Sequence, residues 1–402
     1  MNGNPKRATL LRFLDGVLIS VVFAALLTPL TNSANAQAQS NGTDVSKLYA
    51  NAQKALNEHR YSDAETDLKN LLRLGQHSAA VYSNLGVAYL HAGKLELAIE
   101  SLQKAKSLAP SVSGVRLNLG LAYLQQRDFE NARQQFADAS AMEPSNGQIR
   151  YLHGLCAFMT DHFQESVDAF APIYDTEKDD LEYLFMLGIS HGMLKQTEQS
   201  QQTFAQLVKA GGDTPHLHLL LGKAYLSLEQ LDGATAELRA AAAGDTIPYA
   251  HYYLAILAQK RRELDQALIE FEKEATLFPT NPWAFKEAAL IRMDKQDNES
   301  AIRLLKTGIR NNPESPELFA TLGRAYLQID KPADAVPVLQ KAISMDRKNS
   351  RYHYLLSRAY KATGHSGEAE AEAKQTKSLL SERSESQMEH FSRDTAAPAM
   401  PQ

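Results

Sequence analysis

Ala79-Ala80-Val81-Tyr82-Ser83-Asn84-Leu85-Gly86-Val87-Ala88-Tyr89-Leu90 falls on Ser113-Gly114-Val115-Arg116-Leu117-Asn118-Leu119-Gly120-Leu121-Ala122-Tyr123-Leu124 when the chain is displaced by 34 residues. Small residues meet small ones and large meet large. Self-similarity at a fixed period is the mark of a repeat array rather than of one compact core. The frame extends in both directions, with units starting at 45, 79, 113, 147, 181, 215, 248, 282, 316 and 350. All are spaced by 34 except the sixth, which is one residue shorter.

Two columns of this frame admit no large side chain. Position eight holds Ala52, Gly86, Gly120, Gly154, Gly188, Gly222, Ala255, Ala289, Gly323 and Ser357. Position twenty holds Ala64, Ala98, Ala132, Ser166, Ser200, Ala234, Ala267, Ala301, Ala335 and Ala369. Antiparallel helices approach closely only where side chains are absent or small, so the two columns mark a crossing inside each unit. Leucines of the first helices (Leu85, Leu119, Leu187, Leu221, Leu254, Leu322, Leu356) and phenylalanines of the second (Phe136, Phe170, Phe204, Phe271) fill the space around it. Pro215, Pro248, Pro282 and Pro316 are expected to open first helices, where a missing N–H costs nothing, and Pro172 and Pro337 to kink second helices.

This pattern resembles the tetratricopeptide repeat. The resemblance implies an all-α fold, a right-handed superhelical solenoid of about ten helix-turn-helix hairpins over residues 45–380. Residues 381–402, rich in Ser and Glu and ending Ala-Pro-Ala-Met-Pro-Gln, are expected to form a frayed cap and a disordered tail.

The first residues read as an export signal. Lys6, Arg7 and Arg12 precede an apolar run from Val17 to Leu27, which Pro29 closes, and Ala34-Asn35-Ala36 is an A-x-A cleavage site. Eleven residues fall short of the roughly 20 that a spanning helix needs, so cleavage after Ala36 and a short linker over 37–44 are expected. The product would be periplasmic or secreted, with no stable membrane span. Loss of Lys6, Arg7, Arg12 and Asp15 turns a formal charge of −5 into −7, and a mildly acidic chain lacks the dense basic stripe that nucleic acid requires. The single cysteine, Cys156, excludes an intramolecular disulfide and reads as a buried, inert thiol.

Apparent chemical motifs dissolve in this frame. Gly188-Ile189-Ser190-His191-Gly192 matches G-x-S-x-G, yet that motif works on a strand-to-helix turn and here lies within a first helix. His216 and His218 stand two apart, pointing to different helix faces, so they do not share a metal. The sequence has no H-E-x-x-H, C-x-x-C or Walker loop, and the repeats leave no insertion for a catalytic domain. No enzyme, cofactor or metal is expected.

In the tetratricopeptide family, positions two, five, nine and twelve of the first helices face the ligand. Units four and five carry Tyr151, Phe158, Phe185 and Ile189 there, an apolar stretch. Units six to ten carry Lys223, Tyr249, Tyr252, Trp283, Lys286, Arg324, Arg351, Tyr354 and Arg358, a basic and aromatic one. Those residues suit a protein or peptide segment with acidic groups, or an anionic polysaccharide. The family's chaperone-tail clamp is not supplied: Tyr49, Gln53 and Gly114 stand where it needs lysine, asparagine and a basic residue. The sequence thus implies an interaction scaffold of a bacterial-type cell envelope, or an adaptor of polysaccharide export or cell-wall assembly.

Overall fold

In a computed structural model of the chain, residues 42–394 are described, with side chains from 44 to 382. The expected export segment and the end of the tail lie outside them. Every regular element among the described residues is a helix. The first helices of the ten hairpins are Gly42–Asn57, Ala79–His91, Ser113–Gln125, Gly147–Met159, Leu181–Met193, Pro215–Ser227, Ala250–Lys260, Pro282–Asp294, Pro316–Gln328 and Ser350–Ala362. The second helices are Tyr61–Arg73, Leu95–Leu108, Phe129–Met142, Phe163–Phe170, Thr197–Gly211, Leu231–Ala242, Leu264–Leu277, Asn298–Asn311, Pro332–Met345 and Ser366–Asp394.

The chain divides into two compact units. One runs to Leu220 and includes Ser227–Glu229; the other takes Leu221–Leu226 and everything from Gln230. A core in the first unit centres on Leu68, Leu85, Leu102 and Leu119, and one in the second on Leu339, Tyr352, Leu355 and Leu356.

The crossing columns act as sequence geometry requires. A Cβ placed on Gly120 would sit 2.5 Å from the Phe136 ring, and one on Gly86 2.5 Å from Leu102 Cγ. Position eight is therefore empty because the large residue at position twenty-four fills it. Where serine enters either column it bridges the helices: Ser166 and Ser200 donate to the carbonyls of Gly154 and Gly188 (3.0 and 2.8 Å), and Ser357 donates to that of Ala369 (2.7 Å).

Each hairpin turns in the same way. Position fifteen is left-handed in all ten, with φ between 55° and 81°, yet only Gly93 and Gly364 are glycines; the others are His59, Arg127, Asp161, Lys195, Glu229, Arg262, Gln296 and Asp330. The next N–H reaches back to the carbonyl of position eleven at 2.8–2.9 Å in every hairpin, as in Asp128 to Tyr123 and Asp297 to Arg292. This six-to-one bond satisfies a carbonyl that a helix end otherwise leaves open. At the joints between hairpins, Ser78, Asn146, Asp180, Asn281 and Asn349 cap the following helix by accepting from its first N–H groups.

Two expectations need correction. Pro172 does more than kink its helix: the α-helix ends at Phe170 and a 3₁₀ turn, Ala171–Ile173, follows, whereas Pro337 lies in an unbroken helix. Pro248 does not open a helix, since its hairpin begins at Ala250, after Tyr249 with φ 72°. The last helix runs from Ser366 to Asp394, through a stretch rich in the helix formers Glu, Arg, Gln and Met.

Candidate interaction surface

The basic and aromatic positions of the second unit separate into surface and core. Tyr354 is 52% exposed, and Arg351 and Arg358 are exposed beside it, with the Arg358 guanidinium 5.9 Å from the Tyr354 ring centre. Arg324 is partly exposed. Trp283 and Lys286 are also partly exposed; the ammonium lies 5.1 Å from the indole centre and 3.2 Å from the Glu287 carboxylate. A cation over a ring is held by the ring's quadrupole, which orders both groups without removing them from solvent.

Other predicted members do not share this surface. Tyr252 is fully buried, packed against Phe271, Tyr249 and Tyr253. Lys223 is almost buried, with its Nζ 5.0 Å from the Tyr253 ring. Tyr249 is partly exposed and sits at a helix start instead of on a helix face.

The apolar stretch is a core, not a groove lining. Phe158, Phe185 and Ile189 are fully buried, and Phe158 meets Phe185 edge to face at 6.3 Å. Only Tyr151 remains partly exposed, its ring beside Phe170 and Tyr183. The reason is stacking: position twelve of one first helix and position five of the next cover each other, so apolar residues there close the seam.

Sequence reasoning missed the basic residues at position four of five hairpins, Arg116, Arg150, His218, His251 and His353, where the other five carry Leu48, Tyr82, Leu184, Phe285 and Phe319. His251 faces Glu270 through Nδ1 (2.7 Å) and Asp245 through Nε2 (2.9 Å), and the ring can donate to both only as imidazolium. Burial opposes that charge, but the two carboxylates prevail and hold the His251 pKa above its ordinary value. His353 repeats the arrangement with Glu372 (2.5 Å) and the Arg347 carbonyl (3.0 Å). Arg116 and Arg150 also reach back six residues, to the carbonyls of Pro110 and Pro144.

Glu274 was missed too. It is completely buried, and its carboxylate accepts from the N–H groups of Tyr249 (2.7 Å) and Tyr252 (3.3 Å) and from the Asn281 amide (3.0 Å). Burial raises its pKa against those three donors. A second-helix residue thus caps the first helix of its own hairpin, at the joint where the repeat is one residue short.

Nothing in the apparent motifs gathers into a reaction centre. Ser190 is buried mid-helix, its hydroxyl donating to the Met186 carbonyl (2.8 Å). Cys156 is wholly buried, and burial pushes its thiol pKa up. His216 and His218 face different carboxylates, Glu182 and Asp213. Among the described residues no cluster of metal-ligating side chains occurs, and no helix is long and apolar enough to cross a membrane.

Two tetratricopeptide repeat profiles match the chain, one over residues 49–113, 117–178, 185–248 and 219–282, the other over 292–359. The chain belongs to the tetratricopeptide repeat family. Among solved structures, this tetratricopeptide repeat protein is similar to one from Parabacteroides merdae, at 16% identity and a TM-score of 0.50, over 62% of this chain and 99% of that one. It also aligns with yeast Tom70, at 16% identity and a TM-score of 0.39, over 85% of this chain and 93% of that one. A third alignment is with Pseudomonas aeruginosa pilF, at 17% identity and a TM-score of 0.36, over 48% and 89%. At these identities the likeness concerns fold alone. No curated protein matches the tetratricopeptide repeat chain. Membership of this family makes the chain a protein-interaction scaffold, in a family whose members are generally not enzymes.

Proposed function

We propose that this tetratricopeptide repeat protein is a scaffold of a bacterial-type cell envelope that holds an acidic protein segment on the first helices of its last hairpins. The observation that carries the reading is the exposed group Arg351, Tyr354 and Arg358, with Arg324 one hairpin earlier. Arg324 and Arg351 make no ion pair among the described residues, so their charge is available to carboxylates, and arginine binds these bidentately. Envelope placement rests on Lys6, Arg7, the Val17–Leu27 run and Ala34-Asn35-Ala36. The same exposed ring beside cations supports the second reading, an anionic polysaccharide as ligand.

Arg324, Arg351 and Arg358 changed together to glutamate should abolish partner capture from an envelope extract while leaving helicity unchanged. Lys286 is left out because Glu287 already engages it. Retained capture by the triple variant would defeat this assignment. A glycan array probed with both proteins separates the readings: arginine-dependent binding of acidic glycans without peptide binding would favour the polysaccharide.

A further inference from the structure

The repeat loses one residue at the joint before hairpin seven, and that hairpin is unlike the rest on its outer side. Position twenty-two elsewhere is Thr66, Glu100, Gln134, Asp168, Gln202, Ala236, Arg303, Pro337 or Ala371; in hairpin seven it is Ile269, 57% exposed. Leu264 on the same helix is 45% exposed. The position-seven leucine is buried in six hairpins (Leu85, Leu119, Leu187, Leu221, Leu322, Leu356), but its counterpart Leu254 is only partly buried. These three side chains line a cleft of about 620 Å³, together with Arg239 on the second helix of hairpin six. Arg261 and Arg262 border it.

Three basic side chains (Arg239, Arg261, Arg262) and three acidic ones (Glu263, Asp265, Glu270) line the cleft, and they differ in how they are paired. Asp265 is held by Lys295 and Glu270 by His251, leaving Glu263 as the acid with no cationic partner. Arg261 engages Asp232 at 3.0 Å. Arg239 and Arg262 make no side-chain hydrogen bond or ion pair among the described residues. Apolar side chains in one cleft with the unpaired guanidinium groups of Arg239 and Arg262 complement an apolar side chain flanked by carboxylates.

We propose that this cleft is a second docking site, which takes a leucine-like side chain of a partner peptide with Asp or Glu beside it. It shares no residue with the surface of Arg324, Arg351 and Arg358 and does not depend on that reading. The test uses the full chain and fluorescently labelled hexapeptides EELLEE, EEGGEE and KKLLKK, read by anisotropy. EELLEE should bind and the other two should not. Ile269→Glu and Arg239→Glu should each weaken binding at least about tenfold, and Ile269→Leu should stay within about twofold. The Arg324, Arg351 and Arg358 triple variant should bind EELLEE normally. Absence of EELLEE binding up to about 1 mM, equal binding of KKLLKK, or wild-type affinity in both charge variants would overturn the proposal. If Ile269→Glu loses helicity, Arg239→Glu, an exposed position, decides.

Discussion

The Phe136 ring occupies the volume that a side chain on Gly120 would need, 2.5 Å from where its Cβ would stand. Gly120→Leu should therefore lower stability by ~1–3 kcal/mol, since a packed crossing cannot widen without moving two helices. Ala132→Leu, at the buried small position of the facing helix, should do the same. Thermal melts unchanged in both variants would mean that the hairpin frame is misplaced.

The left-handed turn residues offer the opposite test. Gln296 has φ 64° and Gly364 φ 81° at equivalent places. Gln296→Gly should raise stability by about 0.5–1 kcal/mol, the relief of a strained conformation exceeding the added freedom of the unfolded chain. Gly364→Ala should lower it by a similar amount. Chemical denaturation of the two variants measures both signs.

Glu274 satisfies two helix N–H groups and the Asn281 amide in a site closed to water. Glu274→Ala should cost ~2–4 kcal/mol, because those donors lose their acceptor where no water replaces it. Glu274→Gln keeps a carbonyl oxygen and should recover more than half of that loss in urea unfolding. Equal stability of the alanine variant and the wild type would show that the capping bonds contribute nothing.

His251 makes stability depend on pH. It is faced by Asp245 from the joint loop and by Glu270, Lys273 and Glu274 from the second helix of its hairpin. Its folded pKa lies above the usual 6.5, so its contribution is complete below that value and fades as pH rises through the folded one. Glu270 has a lowered pKa, chiefly through the His251 hydrogen bond, and contributes above its usual 4.5, losing this as pH falls through the lowered value. The pair should thus help most between about pH 4.5 and 6.5. Glu274, raised by burial, runs the other way and weakens the fold as it ionises above 4.5. His251→Gln should reduce the drop in melting temperature between about pH 6 and 8. A variant with an unchanged profile would show that His251 does not titrate in that range.

The fold was legible because steric columns repeat: a small residue once per unit, paired in the first nine units with a large residue one helix on, permits one crossing. The surface was less so. Phe158 and Phe185 occupy ligand-facing positions, but whether such a position is open depends on what the next hairpin places against it. Two aromatic rings attract each other and shut the seam, whereas arginines at the same positions, such as Arg351 and Arg358, stay in water. Glu274 could not be read from its column, which otherwise holds Leu71, Ala105, Ala139, Ile173, Leu207, Ala241, Gly308, Ala342 and Thr376 and no other charge. Its role comes from a deletion 26 residues earlier in the chain, at the preceding joint.

That deletion has a mechanical meaning. One residue removed from a continuous helix would rotate everything beyond it by about 100° and turn the wrong face inward. Here the helix instead starts late, at Ala250, and Tyr249 takes up the difference in a single left-handed step. Hairpins eight, nine and ten keep their small columns in register: Ala289, Gly323 and Ser357 still stand at position eight. The joint behaves as a slip coupling, letting spacing vary by a residue without transmitting torque, so length changes in this array are tolerated at joints and forbidden within helices.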